Sequence, residues 1–479
     1  MFKKIATYSV GLYTVTIFAS VIRVILKSYI AKSLGKEAFG TFSYFMSAQT
    51  LGVSLIAFGM ARSLAKHVAA SSKENKEYDS MVSSVLSIII AISIALTGIA
   101  FLILGLVDWI WVWLLINVGP QAIFLIAQST LRGQFDRNRE LTAAFLNVVI
   151  QAVGVAAYVF FFPSPKAPVI GFVIANVLIA VGILVYFIYR QRSAWNFSVF
   201  HDVYRSAEFK SLLFLSAPLW LTEILAVVSD QADVFIVQGQ LGYVVLAEYG
   251  AAFTFIGLLS KPTSVLSRIF LVTFAGGFYT DIEKYEQVAA VNSAFISTLG
   301  LAATVLAIPL TPIIFGEGYT MAPILTAILS VSFVFKSIEV LNTALTIAID
   351  YPQSNFYSKM WTLLIYIPSA YFLVYHFGVI GAACSNVISW GSYALIHAWY
   401  MSKKLPKHAT YTIRHSLLGT VLYVSVIAIV LLINQIWFII LAVPLYLGMG
   451  HLLRLWDLKQ FPSLLMKLLP NRLREKYVT

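Results

Sequence analysis

Apolar stretches, parted by short polar breaks, recur along nearly the whole chain. A helix that crosses hydrocarbon needs about 20 mostly apolar residues. Fourteen segments meet that requirement: 8–31, 39–61, 80–105, 109–131, 141–162, 168–189, 211–238, 245–272, 288–314, 323–349, 358–376, 378–401, 416–433 and 435–453. The pattern predicts an all-α polytopic membrane protein of about 14 transmembrane helices, with no room for a soluble domain. The basic start MFKK leads into a long apolar run that Arg23 and Lys27 interrupt, without a small-residue cleavage site. It reads as a retained first span rather than a signal peptide.

Composition agrees with the periodicity. Hydrophobic residues make up 59% of the chain and charged residues 11%, against roughly 25% charged in soluble domains. The net charge of +12 is not a nucleic-acid signature, because no basic stripe interleaved with aromatics lies on a polar background. The bases fall instead in short connections and near the chain ends. The single cysteine, Cys384, lies in an apolar run, and the seven histidines show no zinc-ligand spacing.

Charge placement sets the expected topology. With the start of the chain inside, 25 of the 33 Lys and Arg fall on cytoplasmic connections and three (Lys32, Lys36, Lys166) outside. This bias predicts both termini in the cytoplasm of a multi-pass protein of the cytoplasmic membrane. Every outer connection is short, which argues against a membrane enzyme that polymerises or ligates glycans at an external site. No GxxxxGK[ST] loop is present to cradle nucleotide phosphates. A non-enzymatic transporter without a bound cofactor, driven by a proton or sodium gradient, the membrane potential or its substrate's own gradient, is the expectation.

A weak repeat links spans 1–2 to spans 7–8. At an offset of 207, Leu34-Gly35 falls on Leu241-Gly242, and Arg23 and Asp230 each stand twelve residues before their glycine. Six spans separate the two units, so the repeats run parallel. The expected organisation is a six-helix lobe at 1–190, a basic cytoplasmic linker at 191–210, a second six-helix lobe at 211–401, and two accessory helices with a basic tail at 402–479.

Polar residues within the spans form stripes, and charge inside hydrocarbon normally faces a bundle interior or a wet cavity. Span 1 carries Tyr13, Thr16, Ser20, Arg23 and Lys27 at spacings of three and four. Span 4 carries Asn117, Gln121, Gln128 and Arg132, and span 7 carries Ser216, Glu223, Asp230 and Asp233. Span 8 carries Thr254, Lys261 and Arg268, and span 10 carries Ser332, Lys336, Glu339, Thr343, Thr346 and Asp350. These stripes are expected to line a polar centre. Arg62 and Arg132 sit at cytoplasmic ends and equally fit snorkelling. Lys336 and Glu339 fit either an ion pair or a ligand contact. Asp230 and Asp233 fit either a latch to the span 1 bases or an ion-coupling site. Trp109, Trp111, Trp113, Trp195, Trp437 and Trp456 read as interfacial anchors.

Five segments carry a family resemblance. IAKSLGKEAFGTFSYFMSAQTLGVSLIAFGMARSLAKHVA (30–69), STLRGQFDRN (129–138), SDQADVFIVQGQLGYVVLAEYGAAF (229–253), FGEGYTMAPILTAIL (315–329) and GVIGAACSNVISW (378–390) resemble, in order, segments of Wzx-type polysaccharide flippases. That family belongs to the multidrug/oligosaccharidyl-lipid/polysaccharide exporter (MOP) superfamily. The resemblance implies two six-helix lobes around a cavity open alternately to each side. It also implies a polyprenyl-diphosphate-linked oligosaccharide as substrate, with membrane lipids and glycan polymerases or glycosyltransferases as partners. In such a protein Arg23, Lys27, Arg62, Arg268 and Lys261 would be substrate-binding cations, and Gln121, Lys336 and Glu339 polar cavity residues. Asp230, Asp233 and Glu223 would be the ion-coupling candidates. A multidrug extruder or a peptidoglycan-precursor flippase of the same superfamily is the alternative.

Overall fold

The computed structural model describes residues 2–73, 79–134, 136–190, 207–275, 282–433 and 436–456. Residues 191–206 of the expected linker and 457–479 of the basic tail lie outside them. Among the described residues the regular elements are helices: α1 Phe2–Ala57, α2 Met60–Lys73, α3 Asp79–Leu102, α4 Trp109–Gly133, α5 Arg137–Phe161, α6 Ala167–Arg190 and α7 Ala207–Leu259. They continue as α8 Lys261–Ala275, α9 Ile282–Phe315, α10 Ala322–Ser330, α11 Ser332–Ala348, α12 Gln353–Ser402, α13 Pro406–Ile433 and α14 Ile436–Leu452. Outward-facing side chains are apolar: Phe160, Phe161, Leu178, Phe214 and Tyr375 are largely exposed. A surface of that kind needs lipid as its solvent. Nine described helical segments are long and apolar enough to cross a membrane.

These elements do not correspond one for one to the expected spans. α1, α7 and α12 each run through two of them, at 56, 53 and 50 residues. One glycine interrupts each: Gly35 (φ 82°, ψ −174°), Gly242 (φ 79°, ψ 179°) and Gly378 (φ 59°, ψ −142°). Only glycine adopts that left-handed extended backbone without strain. The chain reverses at Gly378, since Gly381 packs against the Leu373 carbonyl and Tyr357 stacks on Tyr400. Other expected spans are split: 39–61 breaks at Phe58-Gly59, both at positive φ, 245–272 breaks before Pro262, and 323–349 breaks at Val331.

The duplication extends beyond the first pair of turns. Gly105 and Gly316, which open the connections after α3 and α9, both hold positive φ. Val169-Ile170-Gly171 with Asn176-Val177 recurs as Val379-Ile380-Gly381 with Asn386-Val387, an offset of 210. Both glycines mark close approaches: a Cβ on Gly171 would crowd Tyr158 and the Gly154 carbonyl, and one on Gly381 would overlap the Leu373 carbonyl. Small residues at such crossings let helices approach where lipid gives no hydrophobic drive to associate.

By packing, the chain divides into two compact units, Thr14–Ala247 and Met1–Tyr13 with Glu248–Thr479. Their boundary differs from the repeat boundary because most of α7 packs with the first helices. In the first unit α4 is the hub, contacting α2, α3, α5 and α6. Leu64, Val68, Val85, Ile89, Ile123 and Ile126 form its fully buried centre. In the second unit α11 is the hub, contacting α8, α9, α12 and α13, with Leu341, Leu345, Phe270 and Phe274 in one buried cluster. α14 packs on α13 and α9.

Candidate functional site

The first unit begins with the span 1 stripe on α1. Ser20 is buried and donates to the Thr16 carbonyl at 2.8 Å, so it is absorbed by its own helix. Arg23, one turn on, is exposed, and Lys27 is half-buried. The flanking Ile17, Phe18, Val21 and Ile25 are exposed as well. This half of α1 therefore carries a guanidinium on a lightly packed apolar helix. A cation there is costly in hydrocarbon unless an anion or a wet cavity compensates it.

α7 meets the α1–α2 junction closely. Gly59 sits against the Ser216 carbonyl with no space for a Cβ, and the Phe58 ring meets Trp220 at a tilt, 4.8 Å between centroids. Ser63 Oγ donates to the Leu212 carbonyl at 2.9 Å. On the rim of this contact Arg62 Nε faces Glu223 Oε2 at 3.5 Å, with side-chain exposures of 60% and 23%. Two predicted site residues of opposite assigned role are thus partners. Further along α7, Asp230 is exposed and Asp233 is fully buried, its Oδ1 accepting from the Val234 amide at 2.9 Å. Towards the Gly242 turn, Gly40 packs on the Tyr243 carbonyl, and Tyr44 makes edge contacts with Phe235 and Tyr243.

The span 4 amides lie in the core of this unit. Asn117 donates to Gln49 Oε1 at 2.8 Å and accepts from Asn176 at 2.7 Å; Asn176 in turn accepts from Gln151 at 2.9 Å. This relay ties α1, α4, α6 and α5 together with every member buried. Each amide fixes its neighbour's orientation, as a satisfied buried network does. Gln121, one turn past Asn117, is half-buried, and its Nε2 has no partner among the described residues. Arg132 bonds Glu140 at 2.9 Å, a structural link between α4 and α5.

The second unit receives the remaining predicted residues. Lys261 is half-buried at the start of α8, and the side chain of Arg268 lies outside the described residues. Lys336 Nζ stands over the Trp390 ring at 4.6 Å. Glu339, expected to line a cavity, is buried at 3% exposure and accepts at Oε1 from His397 Nδ1 and Thr343 Oγ1, each at 2.7 Å. The packing of α12 on α11 explains the difference: the span 10 stripe faces a neighbouring helix. His397, Gln49, Gln151 and Asn176 were not singled out by the stripes. The repeated VIG-xxxx-NV pattern was the sequence signal for Asn176.

Residues 2–274 match the family model described as polysaccharide biosynthesis protein. The chain belongs to the polysaccharide biosynthesis protein family. Its fold is similar to that of an inward-facing multidrug resistance MATE family transporter of the MOP superfamily (TM-score 0.64, 14% identity, over 85% of this chain and 99% of that one). It is also similar to the lipid II flippase MurJ in an inward closed conformation (TM-score 0.64, 16% identity, 92% and 98%). A third likeness is to a MOP superfamily transporter from Pyrococcus furiosus (TM-score 0.56, 15% identity, 83% and 95%). No curated protein matches. The Wzx-type resemblance and the polytopic all-α fold class both hold for this family member, and segments 30–69, 129–138 and 229–253 fall within the matched residues.

Proposed function

We propose that this polysaccharide biosynthesis family member is a flippase that carries a polyprenyl-diphosphate-linked oligosaccharide from the cytoplasmic to the outer leaflet by alternating access. The observation that carries the reading is Arg23, an exposed guanidinium in the middle of an apolar span with Lys27 one turn beyond it. A guanidinium offers a planar fork of donors that matches phosphate oxygens, and Lys27 adds a point charge. Binding an anion at these cations offsets the cost of placing them in the bilayer. Arg62, Lys261 and Arg268 are further candidate cations, and Gln121, with its unpartnered Nε2, is a candidate donor to sugar hydroxyls.

The reading extends to the cell. The lysine and arginine bias supports a cytoplasmic-membrane protein with both termini inside, organised as lobes 1–190 and 211–401 with accessory helices after 402. Asp230, reachable by solvent, and Asp233 are the α7 candidates for coupling to a proton or sodium gradient. Glycosyltransferases that build the lipid-linked glycan and a polymerase that consumes it are the expected partners. A deletion strain tests the assignment. Lipid-linked oligosaccharide should accumulate on its cytoplasmic leaflet and clear when the gene is restored. An unchanged leaflet distribution would refute the flippase reading.

A further inference from the structure

Residues 351–456 carry six bases (Lys359, Lys403, Lys404, Lys407, Arg414 and Arg454) and no aspartate or glutamate. The fold of the second unit gathers those bases at one end. α12 doubles back at Gly378, so its two ends meet: Tyr357 stacks on Tyr400, and Trp361 Nε1 donates to the Tyr400 hydroxyl at 3.1 Å. Lys359 Nζ stands over the Tyr393 ring at 4.6 Å. α13 starts at Pro406, directly after α12. Past α14, Trp456 lies against His415 of α13, 6.4 Å between ring centroids, which places Arg454 at the same end.

α13 extends that charge along an outward face. Lys407, Thr410, Arg414, Leu417, Val421 and Val424 are all exposed, at the three- and four-residue spacing that keeps them on one side of a helix. The stripe is polar at its start and apolar afterwards. A groove of about 490 Å³ follows it, lined by Thr410, Ile413, Arg414, Leu417 and Leu418. Arg414 stands about 12 Å along the helix from Pro406. A guanidinium beside lipid-facing leucines is costly unless an anion neutralises it. Its long side chain reaches back towards the headgroup level, where the available anions are lipid phosphates.

The protein does not supply that anion. Arg414 makes no ion pair among the described residues. Glu286 of α9 meets the neighbouring Tyr411, which donates at 3.2 Å to its backbone carbonyl and not to its carboxylate. The first unit behaves differently: Arg62, Arg132 and Arg139 each have a carboxylate within 3.5 Å. A positive-inside bias accounts for bases at one end, but it places little constraint on acids and does not explain their absence from 351–456. Lys403 Nζ is held over the Trp399 ring at 4.6 Å and the Tyr400 ring at 5.0 Å, and Lys404 over Tyr351 at 4.4 Å. Rings of this kind sit at the headgroup level of a bilayer, so they hold both ammonium groups at the depth of the phosphates.

We propose that this end of α12 and α13 binds an anionic phospholipid, with Arg414 and Lys407 on the headgroup phosphate and an acyl chain along Leu417, Val421 and Val424. Arg414 offers a fork of donors and Lys407 a point charge, while Lys403 and Lys404 raise the local positive potential. Clustered bases beside a span attract anionic headgroups in this way. The site is separate from Arg23 and does not depend on what the chain transports. To test it, the purified full-length chain in detergent is titrated with phosphatidylglycerol or phosphatidylcholine, and the retained lipids are counted by native mass spectrometry. The parent should retain one phosphatidylglycerol in preference to phosphatidylcholine. Arg414→Gln and Lys407→Gln should each weaken that retention about fivefold. Lys166→Gln removes the same charge outside the second unit and should bind as the parent does. No preference for phosphatidylglycerol in the parent, or equal losses for Lys166→Gln and Arg414→Gln, overturns the site. Arg414-dependent binding of undecaprenyl diphosphate tighter than that of phosphatidylglycerol would assign the face to the lipid-linked substrate. Arg414-dependent binding of an oligoglutamate peptide would assign it to an acidic protein, and either result overturns the phospholipid site.

Discussion

Gly35 and Gly242, 207 residues apart, share one backbone conformation: φ 82° and ψ −174° in the first, φ 79° and ψ 179° in the second. Neither has an atom near the place a Cβ would occupy, so the requirement for glycine is conformational rather than steric. A side chain in this region costs about 1–3 kcal/mol. Gly35→Ala and Gly242→Ala should each destabilise the protein by that amount in a denaturation series. A neutral result at either position would mean that the turn does not depend on its glycine.

Gly40 is a contrasting case. Its backbone is helical, and a Cβ there would overlap the Tyr243 carbonyl. Gly40→Ala therefore acts by pushing α1 from α7, and cysteine cross-linking between positions 44 and 243 should slow relative to the parent. Unchanged cross-linking would show that the contact has slack.

The amide relay sets a stability prediction. Asn117→Leu leaves Gln49 Oε1 and Asn176 Nδ2 buried without their present partners. Each orphaned group costs about 1–3 kcal/mol. The variant should lose thermal stability in detergent by several degrees, and Gln49→Leu combined with it should cost less than the sum of the two. Additive effects would mean that the two amides do not act together.

Arg62 and Glu223 call for a smaller number. With Arg62 60% exposed and the atoms 3.5 Å apart, solvent screens the pair, and a double-mutant cycle should give a coupling below about 1 kcal/mol. That coupling should shrink as salt is raised. A coupling above this range would make the contact a structural latch instead of a rim interaction.

How much of this was legible in the sequence differs by level. Apolar run length alone was enough to predict a polytopic helical protein, because hydrocarbon leaves the backbone few alternatives. The boundaries at Gly35 and Gly242 were also visible, since the same dipeptide recurs at the right offset. The breaks at Phe58-Gly59 and Val331 were not, because no run of polar residues marks them. A stripe does not say what it faces. Arg23 is exposed, whereas Glu339 and Asn117 on similar stripes are sealed against partner helices. Only a partner's identity distinguishes those cases, and His397 lies 58 residues from Glu339. The packing of most of α7 with the first helices was equally invisible to a repeat.

The measurement that bears most directly on the account is reconstituted transbilayer movement. Purified protein in vesicles should bring polyprenyl-diphosphate-linked oligosaccharide from the inner leaflet within reach of a membrane-impermeant glycan-modifying reagent. Arg23→Ala, folded and present at equal amount, should reduce that rate to the level of protein-free vesicles. Equal rates for the parent and Arg23→Ala would contradict the central role given to that guanidinium, and no movement above protein-free vesicles would contradict the flippase account as a whole.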